Sequence, residues 1–310
     1  MRGKGGVTWS ILARPWDSIV AAGPRFPQVG ARSQLPDRYR DSGLGQAYHR
    51  PPLRLVTFDR RGHRRLGALR EGNVVDLPSL LGHPAFPDTM ERLVRSNGGT
   101  VLDAARAALE RDEADAFVVE RPRLLAALLP TALRSADAVE GGRPAFGPDE
   151  EIPWPKGAGW LEFHPKIAAV LRRAVDDALT PEETPAVVFG YTLVGDWLAR
   201  RTNGDPMPTP RGVPLSIGPC VVTADELDPQ TAFVTVRIDG EEWVKGNLNG
   251  TALGLLRDVA RASKQERLEP GETFASGPFE IPGFEQRVWP GAEVELEAEG
   301  IGVLRNRLGR

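Results

Sequence analysis

Hydrophobic and polar residues follow no regular period over residues 1–52 and alternate clearly from Leu53 onward. The first stretch mixes Gly, Pro, Arg and Ser, which predicts a poorly ordered N-terminal tail. In residues 53–77, three alternating runs are separated by polar turns, which predicts a small three-stranded meander. Apolar residues spaced three and four apart then predict helices over residues 90–95 and 101–111, which would cover the meander.

The second half of the chain has the pattern of a strand-rich domain. After a proline-containing loop at residues 145–155, the alternation predicts strands over residues 160–171, 186–194, 220–223, 233–238, 241–245 and 294–296. Asp239-Gly240 between two apolar runs predicts a hairpin turn, because both turn positions need a positive φ. The Thr-Pro-Glu-Glu sequence at residues 180–183 predicts a helix start, and residues 253–263 predict a longer helix.

These elements predict three parts of the 310-residue chain. They are a tail over residues 1–52, a small N-terminal α+β domain over residues 53–130 and a mostly β domain over residues 131–310. A chain of this length is long enough to form more than one unit.

Composition and charge narrow the range of partners. The net charge is −3 and the pI is about 5.9, which argues against nucleic acid as a partner. No run approaches the roughly 20 apolar residues of a membrane helix, so we expect no membrane association. The single cysteine, Cys220, excludes an internal disulfide and fits a cytoplasmic protein. Because Cys220 leads into an apolar run, we expect it to be buried and not nucleophilic.

Several motifs, in order along residues 53–310, resemble those of the fumarylacetoacetate hydrolase superfamily. The first motif is the set of opening strands at residues 53–77. Two of the family's signatures are similar to the sequences Phe189-Gly-Tyr-Thr-Leu-Val-Gly-Asp-Trp-Leu-Ala-Arg200 and Gly218-Pro-Cys-Val-Val-Thr-Ala-Asp-Glu-Leu227. Each motif is weak alone, but their shared order makes a chance match improbable. The remaining motifs lie at residues 246–247, 268–271, 275–277, 289–292 and 299–307.

The resemblance implies a fold and a type of chemistry. The fold class is mostly β with α/β elements: a fumarylacetoacetase-like C-terminal β-roll plus a small N-terminal α+β domain, usually in a homodimer. Family enzymes cleave or rearrange small β-dicarbonyl and related 2-oxo acid substrates. They use Mg²⁺ or Ca²⁺ held by carboxylates, because a hard cation polarises the enolisable carbonyl.

The chain departs from the family at the metal ligands. The family's Asp-Tyr-Glu-x-Glu strand corresponds here to Glu162-Phe-His-Pro-Lys166, so His164 and Lys166 stand where two ligand glutamates are expected. A third ligand carboxylate remains as Asp196, in the motif at residues 189–200. An ammonium repels a divalent cation, and one aspartate with one histidine offers too few ligands for tight Mg²⁺ binding. We therefore expect no metal cofactor. The alternative is Mg²⁺, Mn²⁺ or Zn²⁺ held by Glu162, His164 and Asp196.

Other family roles are also altered. Ser135 stands where the resemblance implies a metal-binding aspartate, and the general-base histidine that should follow is missing. The resemblance implies substrate-binding roles for Arg211, which aligns with an active-site lysine, for Ser276, in a carboxylate-holding turn, and for Tyr191 of the Gly-Tyr-Thr motif. Arg211 keeps the charge of a lysine but not its ability to transfer a proton.

The leading hypothesis is a metal-independent enzyme in which Asp196 orients Lys166, Lys166 stabilises an enolate or oxyanion, and His164 moves protons. Its substrate would be an enolisable β-dicarbonyl or 2-oxo acid. The reaction stays open among cyclisation, isomerisation, decarboxylation and C–C cleavage, with a role in specialised metabolism. A Schiff base on Lys166 is a sharper variant that the Asp196 contact works against. The competing hypothesis is a non-catalytic homologue that binds a small acid or serves as a partner subunit.

Overall fold

A computed structural model describes residues 52–96, 99–135, 138–140, 143–207, 213–277, 279 and 286–310. Apart from Pro52, the predicted N-terminal tail lies outside these residues. Pro51–Arg310 forms one compact unit.

The N-terminal elements follow the predicted order. The meander consists of β1 (Arg54–Arg60), β2 (His63–Arg70) and β3 (Asn73–Asp76), and it is followed by the helices α1 (Leu77–Leu81), α2 (Met90–Arg95) and α3 (Gly99–Leu109) and a 3₁₀ helix at Asp112–Phe117. Thr89 caps α2, since its hydroxyl accepts a hydrogen bond from the Arg92 backbone N–H at 3.3 Å. The predicted meander and both predicted helices are confirmed.

The C-terminal elements are mostly strands. In chain order they are β4 (Leu133–Ser135), β5 (Ala138–Glu140), β6 (Ala145–Phe146), β7 (Glu151–Ile152), β8 (Trp160–Leu171), a 3₁₀ helix (Thr184–Val187), β9 (Val188–Arg200), β10 (Leu215–Thr223), β11 (Phe233–Ile238), β12 (Glu241–Asn247), α4 (Asn249–Ser263), β13 (Thr273–Ala275), β14 (Arg287–Val288), β15 (Glu293–Ala298) and β16 (Gly302–Leu308).

The described strands form two sheets. The larger sheet has 11 strands, with the order β3-β2-β1-β10-β9-β8-β13-β4-β5, β14 beside β8 and β6 beside β10. The smaller sheet has five strands, in the order β12-β11-β15-β16-β7. Because β1 pairs with β10, the larger sheet continues across the predicted boundary at residue 130, and the division into two domains stays a prediction.

Two apolar cores cover the two faces of the larger sheet. One contains Phe163 and Trp197 together with residues of the smaller sheet and α4. The other contains Ala168 and Val194 with residues of the N-terminal helices, such as Leu93. Successive residues of a strand point to opposite faces, so β8 and β9 contribute to both cores. The mostly β fold class is therefore confirmed.

The structure differs from the sequence prediction at residues 180–183. No α-helix begins there; the chain makes one turn, forms the short 3₁₀ helix and enters β9 at Val188. The predicted capping contact does form, since the Thr180 N–H donates to Glu183 Oε2 at 2.8 Å. Pro185 lies in the 3₁₀ helix and has no N–H for a further turn. The predicted hairpin is confirmed, with φ values of 51° at Asp239 and 82° at Gly240. None of the described helices is long and apolar enough to span a membrane.

Candidate active site

The pairing of β8 with β9 places three predicted site residues together. His164 lies directly opposite Asp196, and Lys166 lies opposite Val194. Directly opposed residues of an antiparallel pair share a face of the sheet, as do residues two apart on one strand. His164, Lys166 and Asp196 therefore project from one face.

A buried ion cluster surrounds Asp196. The Lys166 ammonium donates to Asp196 Oδ2 at 2.7 Å, and Arg143 Nη1 donates to Asp196 Oδ1 at 2.7 Å. The side chains of Lys166, Arg143 and Asp196 are 9%, 9% and 5% exposed. Burial raises the pKa of Asp196, but the two adjacent cations outweigh burial and hold this pKa below its ordinary value. Asp196 is thus an anion whose two oxygens each accept from a cation.

Arg143 is a site residue that the sequence analysis missed. It belongs to no motif of the family resemblance, and it precedes Asp196 by 53 positions. It reaches the site because β6 pairs with β10, which lies beside β9. No local sequence signal marks this pairing, since β6 is only two residues long.

His164 lies between this cluster and a second ion pair. Its Nε2 atom is 3.6 Å from Glu162 Oε2, and Arg200 Nη2 is 2.9 Å from the same oxygen. Burial lowers the pKa of His164, and the attraction of Asp196 and Glu162 for the protonated ring does not fully offset it. His164 Nε2 is buried without a hydrogen-bond partner in the described residues. The imidazole is therefore neutral near pH 7 and able to accept a proton.

The opposite face of the sheet supports the site with aromatic packing. The rings of Phe163 and Trp197 lie 4.6 Å apart, and the Trp197 indole N–H donates to the Ser216 hydroxyl at 2.9 Å. Gly195 lies within β9, next to Asp196. A Cβ atom at Gly195 would lie 3.0 Å from Phe163 Cε2, which explains the absence of a side chain there.

Two of the three predicted substrate-binding residues lie in the described structure, and neither contacts the Asp196 cluster there. Tyr191 is five positions before Asp196 on β9 and packs in the core on the opposite face, where burial raises its pKa to about 12. Ser276 lies beside Ile167, but its hydroxyl donates to the Gly277 carbonyl at 2.7 Å and accepts from the Ile167 N–H at 3.3 Å. Arg211 lies outside the described residues.

A cavity of about 310 Å³ lies away from these residues. Its walls include Leu102 and Arg106 of α3, Arg172 and Val188, and no residue of the Asp196 cluster. We therefore locate the candidate site by its charged and titratable side chains and not by this cavity.

The model of the fumarylacetoacetate (FAA) hydrolase C-terminal family matches residues 139–309, which is more than half of the chain. The chain belongs to the fumarylacetoacetate hydrolase family. An uncharacterised protein of Pyrococcus abyssi is 25% identical over 171 residues, which cover 53% of this chain and 74% of that protein. A putative hydrolase of Burkholderia cenocepacia is 30% identical over 171 residues, 50% of this chain and 59% of that protein.

Solved structures of the fumarylacetoacetate hydrolase family have the same fold. Maleylpyruvate hydrolase from a Sphingobium species aligns with a TM-score of 0.65 and 23% identity, over 83% of this chain and 99% of that one. Fumarylacetoacetate hydrolase from Exiguobacterium antarcticum aligns with a TM-score of 0.61 and 20% identity, over the same shares. The Sphingobium enzyme was also solved in complex with manganese(II) and pyruvate.

The Asp196 cluster does not fit a divalent cation of the family type. Both oxygens of Asp196 face cationic groups at 2.7 Å, and an ion bound to either oxygen would be repelled by both Lys166 and Arg143. Among the described residues, no three His, Cys, Asp or Glu side chains are grouped as metal ligands. Glu162, the remaining carboxylate of the alternative metal set, is held by Arg200.

Proposed function

We propose that this fumarylacetoacetate hydrolase family member is an enzyme that acts without a metal on an enolisable 2-oxo acid or β-dicarbonyl compound. One arrangement carries the proposal: a buried lysine ammonium held by Asp196 and, two residues away on the same strand face, a neutral histidine. Two of the three Lys166 N–H groups have no acceptor among the described residues, so they are available to an oxyanion.

His164 is the proton-transfer group in this mechanism. Asp196 cannot serve as a base because two cations stabilise its charged form. His164 takes a proton from the carbon next to the substrate carbonyl, and the electron pair of that C–H bond moves to the carbonyl oxygen. The resulting enolate oxygen is stabilised by the Lys166 ammonium. Return of the proton to a different carbon completes an isomerisation.

The same two groups support decarboxylation. When CO₂ leaves, the electron pair of the C–C bond enters the enolate, and the enolate carbon then takes a proton from water, which His164 relays. We place cyclisation, isomerisation and decarboxylation ahead of hydrolytic C–C cleavage, because the resemblance implies that His164 and Lys166 replace two ligands of the family's water-activating metal and that the general-base histidine is missing. A role in specialised metabolism is part of the proposal.

Calorimetric titration with oxalate, a planar dianion that mimics the enolate of pyruvate, tests the site. We expect wild-type protein to bind oxalate in the presence of EDTA and Lys166→Met to lose at least about tenfold in affinity. Lys245→Met, which changes an exposed lysine on β12, serves as the control. Failure of wild type to bind oxalate or pyruvate contradicts the proposal and favours a non-catalytic homologue that serves as a partner subunit.

Metal analysis of the purified protein tests metal independence separately. Wild type and the Lys166→Glu/His164→Glu variant, which restores the family's carboxylates, are titrated with Mg²⁺, Mn²⁺ and Zn²⁺. We expect binding by the double variant alone. Stoichiometric metal in wild type would overturn the metal-free mechanism and return Glu162, His164 and Asp196 to the role of ligands.

The proposal extends to the substrate class, the assembly and the location of the protein. We propose a small-molecule substrate, a homodimeric assembly and a cytoplasmic location. Light scattering of the purified protein at several concentrations tests the dimer, since a stable dimer keeps twice the 33.7 kDa chain mass on dilution.

A further inference from the structure

Arg143 is held more firmly than a surface arginine. Besides the bond to Asp196 Oδ1, its Nη2 donates to the Trp197 carbonyl at 3.1 Å and its Nε donates to the Val213 carbonyl at 3.2 Å. These acceptors belong to β9 and to the segment just before β10, so three directions of the planar guanidinium are fixed. Arg143 therefore holds one position relative to Asp196.

The sheet brings Arg143 to this position. Ala145 of β6 pairs with Leu215 of β10, and Leu215 pairs in turn with Asp196 of β9. The Leu215 N–H also donates to the Pro144 carbonyl at 2.8 Å. One strand, β10, thus separates the backbone next to Arg143 from β9, and the Arg143 side chain contacts the Val213 carbonyl as well as the Asp196 carboxylate.

Each of the two cations binds a different oxygen of the Asp196 carboxylate. Lys166 contacts Oδ2 and Arg143 contacts Oδ1, each at 2.7 Å. A single lysine would leave Oδ1 available to a divalent ion or a proton. With both cations in place, the carboxylate neither binds a metal readily nor acts as a base.

We infer that Arg143 is a positioning residue that, together with Lys166, takes the place of the family's divalent cation at Asp196. Arg143 binds Oδ1 of Asp196 and thereby orients Oδ2 toward Lys166. The Lys166 ammonium is then held on the side of the cluster where His164 lies. This role rests on the proposed function, in which Lys166 stabilises the enolate. It adds Arg143, which lies in no family motif, to the residues that account for the proposed loss of metal binding.

Mn²⁺ binding measured by electron paramagnetic resonance tests this inference directly. The background is Lys166→Glu/His164→Glu, to which Arg143→Met, Arg143→Lys or Arg106→Met is added. Arg106 is the control because it is also largely buried and bound to carboxylates, at Asp225 and Glu226, outside the site. We expect Arg143→Met to tighten Mn²⁺ binding at least about tenfold, Arg143→Lys to cancel most of that gain because the charge is retained, and Arg106→Met to have no effect.

Equal Mn²⁺ affinity with and without Arg143, or no Mn²⁺ binding in any of these variants, overturns the inference. Arg143→Lys guards against a folding artefact, since it preserves the charge and should therefore lack most of the gain of Arg143→Met when the two proteins have the same unfolding midpoint. The readout does not depend on oxalate. Failure of oxalate binding by wild type therefore counts against the proposed function, whereas failure of the Mn²⁺ pattern counts against the role of Arg143.

Discussion

Lys166 Nζ lies 2.7 Å from Asp196 Oδ2 on neighbouring strands of the larger sheet, and both side chains are at least nine-tenths buried. Lys166 of β8 thus sets a buried cation against the one carboxylate, on β9, that the family resemblance leaves at this site. The surrounding ion pairs, core packing and buried groups give five testable predictions.

Replacement of Asp196 by asparagine should destabilise the protein strongly. The change removes the only carboxylate that Lys166 contacts in the described structure, and it leaves two buried cations in contact with a neutral amide. We expect a loss of about 3–5 kcal/mol in the free energy of unfolding, measured in urea. Asp225→Asn, at an exposed carboxylate bound to Arg106, should cost less than about 1 kcal/mol. Similar losses for the two variants would contradict this prediction.

His164 should make the stability depend on pH below about 6.5. Its folded-state pKa lies below the ordinary value of 6.5 because of burial, so below that pH the unfolded chain binds a proton that the folded chain does not. Stability from this group is therefore lost as the pH falls from 6.5 toward the folded-state pKa, at up to about 1.4 kcal/mol per pH unit.

Urea unfolding of wild type and His164→Gln between pH 7.5 and pH 5 measures this effect. We expect the difference in unfolding free energy between the two proteins to shift in favour of the variant as the pH falls. The exposed His63 provides the control, His63→Gln. If the two stability curves stay parallel over this range, His164 is not held neutral by burial.

A side chain at Gly195 should strain the aromatic support of the site. The added Cβ of Gly195→Ala would lie 3.0 Å from Phe163 Cε2 and 3.3 Å from Ser216 Cβ. We expect a loss of about 1–3 kcal/mol in the free energy of unfolding, as for other overpacked cores. Gly246→Ala on β12, where a Cβ meets nothing within 4 Å, should change stability by less than about 0.5 kcal/mol. An unchanged Gly195→Ala protein would show that Phe163 moves freely.

Tyr191→Phe should leave oxalate binding within about twofold of wild type. The Tyr191 side chain lies in the core on the face opposite Lys166 and Asp196, so its hydroxyl is separated from the proposed substrate by the sheet. Calorimetry under the conditions used for Lys166→Met measures the effect. A loss approaching that of Lys166→Met would instead support the substrate-binding role that the family resemblance implies for Tyr191.

Cys220 should not react with thiol reagents while the protein is folded. It is fully buried, its Sγ lies 3.1 Å from the Ile301 carbonyl, and burial raises its pKa to about 12. We expect no reaction with 5,5′-dithiobis(2-nitrobenzoate) at pH 8 in buffer and one reactive thiol in guanidinium chloride. Rapid reaction of the folded protein would show that the Gly218–Thr223 region opens readily.

The sequence alone determined the features that depend on local periodicity. Alternation over a few residues predicted β1 to β3 and β8, and the two-residue period of a strand was enough to assign His164 and Lys166 to one face. The family motifs then identified Asp196 as their partner. These inferences succeeded because side-chain direction along a strand is a local property of the backbone.

Only the tertiary structure decided which distant residues complete the site. Arg143 reaches Asp196 through two successive strand pairings, and a two-residue strand such as β6 carries too few side chains to reveal its partner. The sequence predicted a strand that ends at residue 194, so the alternation of faces could not be followed from Tyr191 to Asp196. In the structure β9 continues through Asp196 to Arg200, which places the two side chains on opposite faces of the sheet. Register between strands depends on packing across the whole sheet, so the neighbours of Asp196 were set by long-range contacts and not by its own motif.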